Sequence, residues 1–114
     1  MKTLTKKEVR DLIYGLNPKK NQMGKRIIQE PKFDAARTDV AAVAVSWGDD
    51  SVVFRTKCYL VYKNKKGVIQ HRELRDVPKY ISIEKVEIKD GYFGIDFKDK
   101  ATCDLPLCRL ELEE

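Results

Sequence analysis

Cys58, His71, Cys103 and Cys108 are together the residue types of a Cys₃His zinc set. Structural zinc sites draw their ligands from tight knuckles with two to four residues between them, and no such spacing occurs here. If Cys58 and His71 lie on paired strands as read below, they point to opposite faces, and so do Cys103 and Cys108 unless Pro106 bulges the chain between them. No metal and no cofactor is expected. As a nucleophile Cys58 has only His71 for a base, since the chain holds one histidine, and its apolar neighbours suit a thiol acting as a small hydrophobe.

A second constellation is acidic. Glu87-Ile88-Lys89 and Asp96-Phe97-Lys98 flank one turn and match the acid-x-Lys element with which metal-dependent nucleases hold Mg²⁺ and activate water. Eighteen acids and the many lysines make the match cheap: a third copy, Glu30-Pro31-Lys32, has nothing beside it, and Asp49-Asp50-Ser51 is turn chemistry. No catalytic residue is assigned. A small metal-dependent hydrolase around Glu87 and Asp96 stands as a second alternative.

The third constellation is basic. Lys19, Lys20, Lys25 and Arg26 form an arm, and Arg55, Lys57, Tyr59 and Lys63 share one face of a strand, cations to meet phosphates and a ring on which a base can stack. Net charge is +5 and unevenly spread. Up to Arg37 there are ten Lys and Arg against four Asp and Glu, a surplus of six; from Thr38 onward thirteen stand against fourteen. Such a split suits a polyanion partner as well as plain solubility. Val61 and Ile69 fall on the same face as Tyr59, so that face also suits a protein partner, or a covering helix with the charges reaching out at its rim.

These residues need elements to position them. Thr5-Lys6-Lys7-Glu8 is a capping box with Leu4 and Val9 as its hydrophobic staple. Val9, Leu12, Ile13 and Leu16 follow at helical spacing until Asn17-Pro18, which predicts a helix from Lys6 to Leu16. The connector from Lys19 to Lys32 reads as a loop or short extended piece, and Phe33 to Arg37 as a single helical turn. In Asp39 to Gly48, Val43, Val45 and Trp47 alternate with Ala42, Ala44 and Ser46, which predicts a strand whose small-residue face could take a helix closely, although Asp39 and Gly48 would also cap a helix.

Asn64-Lys65-Lys66-Gly67 suits a type I turn closed by a left-handed glycine. It sets Tyr62 opposite Gln70, Leu60 opposite Arg72, Cys58 opposite Leu74 and Thr56 opposite Asp76, with Phe54 extending that apolar face. Arg55, Lys57, Tyr59, Val61 and Lys63 then share the other face with Ile69, His71, Glu73 and Arg75. Ile81 and Ile83 are out of phase with Val86 and Ile88, which places a bulge between them. Asp90-Gly91 is a two-residue type I′ signal; Phe93, Ile95 and Phe97 share a face beyond it, and a last strand from Ala101 to Leu112 is broken at Pro106.

The fold class expected is α+β: an N-terminal capped helix followed by a five- to six-stranded antiparallel curled sheet or open barrel. It forms a single domain, 1–114, with helix and basic connector over 1–37 and an antiparallel β body over 38–114. With no long apolar run and an odd number of cysteines, the chain reads as cytoplasmic with no membrane partner. The function expected is a small soluble non-enzymatic binding module contacting nucleic acid or a ribonucleoprotein through the basic arm and sheet face. The alternative is a protein-interaction or assembly subunit, an inhibitor or a phage-like structural component, using strand edges with Val61 and Ile69.

Overall fold

The computed structural model describes residues 3–16, 25–48 and 55–108. One helix, α1 (Lys6–Leu16), precedes eight strands: β1 (Lys25–Ile28), β2 (Lys32–Asp34), β3 (Arg37–Gly48), β4 (Arg55–Lys63), β5 (Ile69–Val77), β6 (Ile83–Lys89), β7 (Tyr92–Phe97) and β8 (Thr102–Pro106). They form two antiparallel sheets, one of five strands in the order β1-β3-β4-β5 with β2 also on β3, the other of three in the order β6-β7-β8. The fold is thus α+β, but in place of a single curled sheet or open barrel of five or six strands there are two stacked sheets with the helix on the outer side of the larger one. Lys19 and Lys20 lie outside the described residues, as do Phe54 and the end of the last expected strand.

The helix has the predicted bounds, and its cap is the reciprocal one. The Glu8 amide donates to Thr5 Oγ1 at 3.1 Å and the Thr5 amide to Glu8 Oε1 at 3.0 Å, satisfying two donors that the first turn leaves open. Leu4, Val9 and Ile13 bury their side chains with Ala41, Val43, Val45, Trp47, Tyr59 and Val61. Each such side chain taken from water is worth about 1.5–3 kcal/mol, so this stripe secures the helix. The bulky side of β3 is therefore what receives α1, not its small-residue side. Ala42 and Ala44 face the other sheet instead, where Val40, Cys58, Leu60 and Tyr62 meet Ile81, Ile83, Phe93, Ile95 and Phe97. Small residues there let the two sheets approach over the large phenylalanines.

Of the two forms expected for the basic connector, the described part takes the short extended one: Lys25 to Ile28 pairs with Gly48 to Val45. Two local expectations are corrected. Phe33 to Arg37 is a tight hairpin, not a helical turn, with Asp34 opposite Arg37 and the Ala36 amide on Asp34 Oδ1 at 2.7 Å, the local bond with which aspartate favours turns over helix. In the β4–β5 hairpin the expected register holds from Lys63 to Tyr59, and then Cys58 faces Arg75 instead of Leu74, and Thr56 faces Val77 instead of Asp76. Leu74 is the extra residue of a β-bulge, which turns both Leu74 and Arg75 toward the inter-sheet core and leaves Asp76 beside Lys57.

Other expectations hold. Residues 39–48 lie within a strand; the Asn64–Gly67 turn closes with Gly67 donating to the Asn64 carbonyl at 2.9 Å; and the shift between Ile83 and Lys85 is the expected bulge. Asp90 and Gly91 have φ of 53° and 80°, the pair of positive values a type I′ turn requires. No described helix is long and apolar enough to cross a membrane.

Candidate functional site

The basic sheet face is assembled by β4 as expected but is not open. Tyr59 is 7% exposed and sits beneath α1, with His71 edge-on to its ring at 6.3 Å, so the ring offers no stacking platform. Val61 is fully buried in the same cluster and Ile69 packs against it, which removes them as an exposed anchor pair. The cations at the rim are answered by acids. Arg55 pairs with Asp76 at 2.7 Å, Lys57 with Glu73 at 3.6 Å while lying over the Trp47 ring at 5.9 Å, and Lys63 with Glu8 at 3.1 Å while donating to the Thr3 carbonyl at 3.0 Å. Arg26 stacks on the exposed ring of Tyr14 at 4.9 Å, and Lys25 begins β1 opposite Gly48. The helix stripe of Val9, Leu12, Ile13 and Leu16 was the signal that this face would be covered, since an amphipathic helix must bury its apolar side somewhere.

The cysteines and the histidine separate as their strand positions required. Cys58 is buried between the sheets, Cys103 is half-buried, Cys108 is exposed and none is in a disulfide; His71 stands on the helix side with Tyr59. Burial pushes the Cys58 thiol up to about 12 against the pull of Arg75, and burial raises Cys103 as well, so neither is an activated nucleophile. Arg75, brought inward by the bulge, makes a two-pronged pair with Asp99 at 3.0 and 2.8 Å and lies over Phe97 at 4.9 Å. Lys79 reaches the same carboxylate at 3.0 Å. This clamp ties β5 to the β7–β8 turn and belongs to the architecture.

The acidic residues, in contrast, are gathered. The outer side of the three-stranded sheet bears a concavity of about 400 Å³ lined by Glu87, Lys89, Asp90, Tyr92, Gly94, Asp96 and Asp104. The register makes it. Gly94 lies opposite Glu87 on one side and Asp104 on the other, so the central strand contributes bare backbone between two carboxylates. A Cβ on Gly94 would come within 3.1 Å of Asp104 Oδ1 and 3.4 Å of the Glu87 carbonyl, so the floor exists because the residue is glycine. Tyr92, 47% exposed, stands at one end. At the other, Lys85 Nζ lies 3.9 Å from Glu87 and 3.8 Å from Asp96, an ammonium of the chain itself placed loosely between two walls of the slot. Asp90 and Asp104 take part in no ion pair with a described residue.

No family model, curated protein or solved structure matches this chain. Its chemistry rests on the geometry. The sequence singled out Glu87 and Asp96, and the structure adds Asp90, Tyr92 and Asp104 around Gly94. These carboxylates line a slot without converging: among the described residues no group of three His, Cys, Asp or Glu side chains is arranged to hold a metal ion. What the slot offers is a negative, glycine-floored channel with an aromatic edge, a shape suited to a long cationic side chain whose stem lies on the peptide floor.

Proposed function

We propose that this chain is a small non-catalytic protein-interaction module that receives a lysine- or arginine-bearing segment of a protein partner on the outer face of its three-stranded sheet. The observation that supports the reading is the slot over Gly94, walled by Glu87, Asp96 and Asp104 with Tyr92 at its end. Carboxylates on this open face disfavour a polyanion there, and the opposite face of the molecule is taken by α1. Solvent-exposed ion pairs contribute ~0.2–1 kcal/mol each and an exposed cation–π contact ~0.5–1 kcal/mol. Three such pairs and one ring contact sum to at most about 4 kcal/mol, so a single basic segment should bind weakly, with Kd no tighter than about 1 mM at low salt.

The test is a titration of isotope-labelled protein with a lysine/arginine peptide, followed by amide NMR. Shifts centred on Glu87, Gly94 and Asp104 that vanish with Asp96→Lys and Asp104→Lys are expected; shifts elsewhere, or none, refute the reading. A second reading, nucleic acid held by Lys19, Lys20, Lys25 and Arg26, is favoured by the surplus of six positive charges before Thr38. It requires retention on a polyanion column to fall steeply with salt and with charge reversal of those four residues.

A further inference from the structure

Residues 78–82, which link the two sheets, have no regular secondary structure, yet buried polar groups pin their backbone. Thr56 Oγ1 donates to the Lys79 carbonyl and accepts from the Ile81 amide, and Gln29 Nε2 donates to the Ile81 carbonyl at 2.8 Å. From the three-stranded sheet the Lys98 amide donates to the Ser82 carbonyl at 3.0 Å. Ile81 is sunk in the core, whereas Tyr80 beside it is 51% exposed. The loop thus holds an aromatic ring outward on a fixed backbone, and a ring fixed in advance costs little ordering when a ligand stacks on it.

Two hollows adjoin this loop. One of about 220 Å³ lies between it and Gln29, Glu30 and Lys32; the other, of about 260 Å³, is lined by Lys79, Tyr80 and Asp99. Ser82 and Lys98 line both, so the two join in one groove where the sheets meet. Its acids are already answered: Glu30 lies 2.6 Å from Lys6 and 2.7 Å from Arg10, and Asp99 is held by Arg75 and Lys79. Lys98 meets Glu84 only at 4.0 Å. Counting the charged lining groups with these partners, Lys6, Arg10, Lys32, Arg75, Lys79 and Lys98 stand against Glu30, Glu84 and Asp99, six against three, a surplus of three positive charges. The slot over Gly94 shares none of the groove's lining residues.

We infer that this groove binds single-stranded nucleic acid, with the Tyr80 ring stacked on a base and Lys32, Lys79 and Lys98 meeting backbone phosphates. A positive groove edged by an exposed ring is what such a strand requires, since its phosphates need cations along the path and every base has a face to stack. A duplex keeps its bases within the stack and gives a side ring nothing without unstacking. A bare phosphate chain would use the lysines and leave Tyr80 idle. The inference is independent of the slot over Gly94 and of the reading that the slot supports.

Fluorescence anisotropy of a labelled oligothymidylate, with inorganic polyphosphate as a base-free comparison, tests this on the full chain purified free of nucleic acid. The wild type should bind at low salt, with a slope of about −2 in log K against log salt for three phosphate contacts. Tyr80→Ala should weaken the oligonucleotide at least about fivefold and leave polyphosphate binding unchanged, while Tyr80→Phe should keep the wild-type affinity. Lys32→Glu with Lys98→Glu should weaken both ligands and flatten the slope to about −0.7. Amide NMR should place the oligonucleotide's shifts on Lys79, Tyr80, Ser82 and Lys98. No binding at low salt, shifts centred elsewhere, or a Tyr80→Ala protein that binds the oligonucleotide as the wild type does would overturn the inference. So would binding that is lost on charge reversal of Lys19, Lys20, Lys25 and Arg26 but unmoved by the groove variants, which assigns nucleic acid to the arm. Circular dichroism with thermal melts separates loss of contact from loss of fold, and a charge variant that unfolds is replaced by Lys32→Gln with Lys98→Gln, which should weaken both ligands in the same way.

Discussion

Cys58 gives the inter-sheet core a titratable probe. Burial moves its thiol from an ordinary value of 9.0 up to about 12. Below pH 9 the thiol is protonated in both folded and unfolded chains and adds nothing to the pH dependence of stability. Above it the unfolded chain gives up the proton while the folded chain keeps it, so the thiol's contribution to stability is lost as pH rises through the folded value and levels off beyond. The loss is ~1.4 kcal/mol per pH unit inside that window, about 2 kcal/mol at pH ~10.5 and about 4 kcal/mol in total. Urea unfolding of wild type and Cys58→Ala at neutral pH and at pH ~10.5 measures it, because the other lysines and tyrosines titrate in both and cancel in the difference. Cys58→Ala should be the less stable at neutral pH, through its small cavity, and the gap should close by about 2 kcal/mol in alkali. A thiol reagent should leave Cys58 unmodified in the folded protein. Parallel pH dependences for the two proteins, or ready labelling of Cys58 without unfolding, would refute its placement between the sheets.

Two further predictions concern what holds the sheets together. Asp99, held well below the usual carboxylate range by Arg75 first and Lys79 next, contributes stability that is present above the ordinary carboxyl range and lost as pH falls through its lowered value; Asp99→Asn should melt lower at neutral pH and show a flatter acid limb, and matching limbs would discount the clamp. Thr56 Oγ1 donates to the Lys79 carbonyl at 2.8 Å, accepts from the Ile81 amide at 3.2 Å and meets Ser46 Oγ at 2.8 Å, which in turn accepts from Gln29 Nε2 at 3.2 Å. Thr56→Val strands these buried groups and should cost about 1–3 kcal/mol in urea unfolding, while Thr56→Ser should cost less; equal stability of all three proteins would mean that the relay carries no weight.

How much of this was legible in the sequence depended on whether a single turn fixed the register. The Thr5–Glu8 box and the 3.6-residue stripe give α1 its bounds, and the alternation of Val43, Val45 and Trp47 gives β3, because each is a local signal with one physical meaning. The β4–β5 hairpin was read correctly from Lys63 to Tyr59 and lost at Cys58, since nothing in Arg72-Glu73-Leu74-Arg75 announces a bulge. What decides it is tertiary: Leu74 and Arg75 both gain by facing inward, one on the apolar core and the other on Asp99 and Phe97. The two-sheet division was likewise invisible, because alternation states that a strand has a buried face and not which sheet buries it. Strands β1 and β2, short and rich in charge, form because β3 is long enough to pair with both.

The candidate site shows the same rule working in the other direction. The basic face was legible as a row of residues, and a covering helix was among its expected states; its pairing with Asp76 was not legible, because that depends on the bulge that sets Asp76 beside Lys57. The acidic slot was in reach: the Asp90-Gly91 turn places Glu87 opposite Gly94, and the Lys98–Lys100 turn places Asp104 opposite Gly94. Two turns therefore put one carboxylate on each side of a glycine, in a row that runs across the strands, whereas the acid-x-Lys triplets run along them. That row recasts the charge asymmetry as well. A surplus of six positive charges before Thr38 suggests a polyanion when the rest of the chain is taken as neutral background; the near-balance of that remainder conceals a carboxylate cluster around Gly94, so a net charge says less about a partner than the sign of the face that meets it.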